Sequence, residues 1–67
     1  MDTFERENRL DDLERRIADW DLTIESLNAD MEIAHPSRTA EIALELNNAI
    51  RLRALDMAEA LHLYTLH

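Results

Sequence analysis

Pro36 is the only proline in 67 residues, and it stands near the middle of a chain that contains no glycine. The strongest helix breaker therefore lies between two long stretches that hold none. Proline disfavours the α conformation at the residue before it, here His35, so a first helix should stop near Ala34. Asp2 can cap its start, with Glu5 three residues on in the capping-box position. Ser37 is the expected N-cap of a second helix, and Glu41 in its first turn suits the positive end of the helix dipole. The expected elements are a helix over about 3–34, a turn over 35–37 and a helix over about 38–66, in one domain spanning 1–67. So short a turn between two long helices implies an antiparallel hairpin. The alternative, one long helix kinked at Pro36, carries the ~3 kcal/mol penalty of proline inside a helix.

The first helix carries a heptad. Leu10, Leu13, Ile17, Trp20, Ile24, Leu27, Met31 and Ala34 are spaced alternately by three and four, and nearly everything between them is polar. The second helix has two apolar faces. At about 100° per residue, Ile42, Leu46, Ile50, Ala54, Met57, Leu61 and Tyr64 fall together and should meet the first helix. Leu44, Leu55 and Leu66 fall on another face, flanked by Leu52 and Leu63, and a two-helix chain has nothing to cover it. Asn48 shares that angle, where a polar residue can fix register or oligomeric state. A hairpin of this size cannot close a core alone, and without cysteine the remaining staple is oligomerisation. The expected fold class is therefore all-α: an antiparallel two-helix hairpin dimerising into a four-helix bundle. Self-association is assigned to Leu44, Asn48, Leu52, Leu55, Leu63 and Leu66, with a higher oligomer as the alternative.

Charge narrows the function classes. Fifteen acids against seven Arg give −8, which argues against direct nucleic-acid binding and against an anionic membrane surface. The absence of glycine removes phosphate-cradling loops, and the absence of cysteine removes thiolate metal sites. No apolar run approaches ~18 residues, so no membrane span is expected. The acidic start Met1-Asp2-Thr3-Phe4-Glu5 is not that of a signal peptide, and a cytoplasmic location is expected. Residues 1–34 carry eleven acids and four Arg, a charge of −7, whereas residues 35–67 carry −1. Glu5, Asp12 and Asp19 repeat every seven residues, as do Glu7, Glu14 and Asp21, which spaces the charges of each row about 10.5 Å apart on a helix. Such rows either keep a small oligomer soluble or recognise a basic protein surface. The second reading assigns partner binding to Glu5, Glu7, Asp12, Asp19 and Asp21.

Two Glu-x-x-His sequences occur, Glu32 to His35 and Glu59 to His62. Residues three apart share a helix face, and ferritin-like bundles bind metal through this motif together with further Glu residues. In the hairpin, residue i faces roughly 73 − i, so Glu14, Glu59 and His62 could converge on a metal. The structural alternative leaves His62 half-buried with its polar tip outward. The same register brings Asp19 and Asp21 within reach of Arg51 and Arg53, and Arg53 near Trp20. Scattered Ser and Thr residues give no nucleophilic triad, adjacent carboxylates such as Asp11 and Asp12 point apart, and no cleft is expected; neither an enzyme nor a cofactor is implied.

The stretch Arg9-Leu10-x-x-Leu13-Glu14-x-Arg16-Ile17-Ala18, followed by Thr23-Ile24-Glu25-x-Leu27-Asn28, resembles the N-terminal coiled coil of the SlyX family. The resemblance covers about 20 residues and implies a small, helical, self-associating bacterial protein; the proline-rich tail of that family has no counterpart here. In architecture the chain is similar to Rop-type hairpins, which dimerise into four-helix bundles, although the Rop surface that meets RNA is basic. Together these readings predict a non-enzymatic interaction module, an adaptor or regulator, that associates with itself and with a basic protein surface. The alternatives are a phage- or plasmid-borne inhibitor that mimics nucleic acid, and a Glu-x-x-His metal-binding bundle.

Overall fold

Asp2 begins the first helix in the manner its short acidic side chain allows, accepting the Glu5 N–H at 2.7 Å. The computed structural model describes residues 2–66. Helix α1 runs Thr3–Ile33 and α2 runs Thr39–Thr65, joined through a 3-10 turn at Pro36–Arg38. The described residues are all helix and short connection, with no strand. The helices lie antiparallel in a rod measuring 50 × 14 × 12 Å. Arg6 donates to the Leu66 carbonyl, Arg16 pairs with Asp56 and Arg53 with Asp21. Each pair lies within one residue of the expected 73 − i rule. No helix among the described residues is long and apolar enough to cross a membrane.

The turn departs from expectation at one point. Ala34 and His35 are extended, as the residues before proline should be. Ser37 does not cap α2, whose N-cap position is Arg38 without a side-chain cap; His35 instead caps the 3-10 turn, its Nδ1 accepting the Ser37 N–H at 3.2 Å. Ser37 is already wound into the 3-10 turn, whereas an N-cap needs an extended backbone, and His35 is the last extended residue. Thr39 Oγ1 donates to the Pro36 carbonyl at 2.9 Å, and α2 starts at Thr39.

All eight seam residues of α1 are buried or half-buried, and Leu13 is fully enclosed. The inward row of α2 is Ile42, Leu46, Ala49, Arg53, Asp56, Ala60 and Leu63, spaced alternately by four and three. Only its first two members belong to the face expected to meet α1. Ile50, Ala54, Met57, Leu61 and Tyr64 are exposed, and Leu63, expected on the outer face, is buried against Leu13 and Ala60. Periodicity limits lasting contact with the α1 seam to a seven-residue row of α2, and of the two such rows the inward one is that which lets Asp56 meet Arg16 and Trp20. Ala49 and Ala60 in that row let the two backbones approach closely.

Candidate functional site

The two flanks of the hairpin differ in chemistry. On the flank bearing Arg9 and Arg16, charged side chains tie the helices together. Asp56 is 6% exposed and accepts two hydrogen bonds beside an ion pair. Arg16 donates from Nε to Oδ2 and pairs through Nη2 with Oδ1, each at 3.1 Å, and Trp20 Nε1 donates to Oδ2 at 3.0 Å. One turn away, Arg9 donates to both Glu59 oxygens, at 2.5 and 2.9 Å, and to Asp12 at 3.1 Å. The hydrogen bond from Arg9 holds the Glu59 carboxyl below its ordinary range, with the Arg9 and Arg16 charges adding to the effect against the opposing cost of desolvation. The same contact raises the Arg9 guanidinium. No buried side-chain N or O among the described residues lacks a partner.

The Asp56 cluster is the feature that sequence reasoning passed over. A signal was present. The facing rule sets Asp56 opposite Ile17, between Arg16 and Trp20, and a half-buried indole N–H needs an acceptor.

The proposed metal ligands are not brought together. Glu59 turns toward Arg9, Glu14 lies on the opposite flank where it accepts the Tyr64 O–H at 2.6 Å, and His62 is exposed. Among the described residues no three His, Asp or Glu side chains form a group that could hold a metal ion. The rotation of α2 that buries Asp56 is what separates Glu59 from Glu14.

The opposite flank is apolar. Ala43, Asn47, Ile50, Ala54, Met57, Leu61 and Tyr64 form a second row spaced alternately by four and three, displaced by one residue from the inward row. Met57 is 43% exposed, Tyr64 56% and Leu61 66%, so the row has no cover within the chain. Its C-terminal half lines an open groove whose other wall is Ile17 and Glu14 of α1. Asp11, Asp21 and Glu25 share that face of α1, and Arg53 reaches Asp21 at 2.6 Å. The Tyr64 phenol is raised above its ordinary value, chiefly by its hydrogen bond to Glu14, then by the Glu14 charge, desolvation and the Asp11 charge.

On the outer surface of α2, Leu44 and Leu55 are 70% and 60% exposed, and Leu66 lies at the helix end. Leu52 is half-buried, and Asn48 is exposed and accepts from Arg51 at 3.0 Å. Arg51 thus bonds within its own helix, whereas Arg53 takes the cross-helix partner expected of it. Of the acids expected to bind a partner, Asp12 is paired with Arg9 and Asp21 with Arg53. Glu5, Glu7 and Asp19 are exposed and have no cation within 4.0 Å among the described residues.

Compared with protein-family models, curated proteins and solved structures, the chain matches none.

Proposed function

We propose that this chain is a non-enzymatic protein–protein interaction module that self-associates through α2 and offers its acidic α1 to a basic partner. The observation that carries this reading is the apolar surface α2 leaves open: among the described residues ten large apolar side chains are exposed, and six of them belong to α2 between Leu44 and Tyr64. Exposed apolar area on this scale, rimmed by charge, is characteristic of an interaction surface. Leu44, Leu55 and Leu66, with Leu52 and Asn48 at their edge, are the self-association face. Leu63 is withdrawn from that face because it completes the intrachain core. Two hairpins joined through α2 make a four-helix bundle. Free carboxylates on α1, Glu5, Glu7 and Asp19 among them, repel one another, and a basic surface relieves that repulsion.

Sedimentation equilibrium tests the reading. The expected mass is at least twice 7.8 kDa, and Leu55→Arg should return single chains, because it sets an unpaired charge on the contact. A folded wild-type monomer would overturn it.

A further inference from the structure

We propose that the groove between α1 and α2 on the Tyr64 flank seats a basic amphipathic helix supplied by a different protein. This rests on the interaction-module reading and adds the site and the chemistry of the occupant. From Ile50 to Tyr64 the open row repeats every seven residues, the spacing that accepts knobs from another helix. At 1.5 Å per residue that stretch is about 21 Å long, enough for four turns of a partner. Ala54 and Ala58 are small, which leaves room for large apolar residues from the incoming helix.

Charge decides the occupant. The groove's floor is apolar and its α1 wall carries Glu14, with Asp11 and Glu25 along the same face of α1; none of the three has a cation within 4.0 Å among the described residues, and Arg15 lies beside Asp11 and Glu14 but does not line the groove. A second copy of this chain would bring a net charge of −8 and an α1 wall of the same sign. A helix with an apolar stripe and Lys or Arg along one border satisfies both the floor and the wall. The hydrogen bond from Tyr64 to Glu14 fixes the wall against the floor at 2.6 Å before any partner arrives. Self-association then uses the outer leucines, which leaves this flank free.

The probes are two synthetic helical peptides of about 18 residues with the same Leu/Ala heptad, one bordered by Lys and the other by Glu. Each is titrated into the full chain while the Met57 methyl resonance is followed by NMR. The Lys peptide should bind and shift Met57, and affinity should fall about tenfold or more between about 50 and about 300 mM salt. Neutralising Asp11, Glu14 and Glu25 to Asn or Gln should weaken it by at least a similar factor. Met57→Lys should abolish binding, whereas Ile33→Lys, which makes the same charge change at an exposed position near the turn, should not. Equal binding of the Glu peptide, or equal damage from Ile33→Lys and Met57→Lys, would overturn the groove assignment. If neither peptide binds and the chain still sediments as a dimer or larger, the groove assignment alone falls. If neither binds and the chain is a monomer, the interaction-module reading falls with it.

Discussion

Asp56 shows how one side chain can set the rotation of a helix. A carboxylate that loses its water needs compensating partners, and here two hydrogen bonds and an ion pair supply them from α1. Replacing Asp56 by Ala leaves the indole N–H of Trp20 and the Arg16 guanidinium without their acceptor. The expected cost is about 1–3 kcal/mol in urea unfolding at fixed protein concentration. Exchanging the ion pair for apolar residues, Asp56→Leu with Arg16→Met, should recover only part of that cost, because it spares the desolvation of the carboxylate but still leaves the Trp20 indole N–H without its acceptor. Tyr64 offers a second residue-scale test, since it is the only tyrosine in the chain. Its phenol is raised in the folded state, so the Glu14 bond stabilises the fold below the ordinary value of 10.0 and is lost as pH rises through the folded pKa. Tyrosinate absorbance should therefore develop above pH 10 in the native protein, and Glu14→Gln should move it back toward the value of the unfolded chain. An unshifted titration in the parent protein would show that the contact does not form in solution.

At the scale of elements, α2 is built from two seven-residue rows set one position apart, the inner facing α1 and the outer facing solvent. The inner row contains Ala49, which is 2% exposed, and Ala60. Ala49→Leu should cost about 1–3 kcal/mol by overpacking that contact, whereas Ala54→Leu, on the open row, should cost little; chemical denaturation of the two variants would compare them directly. The helices and their ends were legible in the sequence because Pro36 and the α1 heptad leave few options. The rotation of α2 was not, for a physical reason. Its apolar residues nearly encircle it, so hydropathy alone does not choose a face. The choice is made by a polar residue, Asp56, and by two alanines, none of which registers as core in a hydropathy pattern. The metal reading failed for the same reason, since it took Glu59 to lie on the Glu14 side. Chain register alone puts Asp19 and Asp21 within reach of Arg51 and Arg53, and of these only Arg53 with Asp21 forms a cross-helix pair among the described residues.

For the molecule as a whole, the interior is small. Among the described residues the hairpin buries the apolar side chains of Leu13, Ile42, Ala49, Ala60 and Leu63 beyond the reach of most solvent, and only Leu13 completely. Two of those five are alanines, which contribute little apolar area each. Against this stands the conformational entropy of 67 residues, a cost of roughly 1–2 kcal/mol per residue for the backbone alone. Under the proposed self-association, a scaffold of this length without cysteine gains from a partner the apolar burial it lacks. The exposed rows of α2 are where that area is available. Folding and association should then be one process, and mass action makes the stability of such a protein depend on its concentration. The most direct test is the thermal unfolding midpoint, followed by circular dichroism over about a hundredfold range of chain concentration. A midpoint that rises steadily with concentration is the expected result, and a cooperative transition at the same temperature throughout would contradict the account.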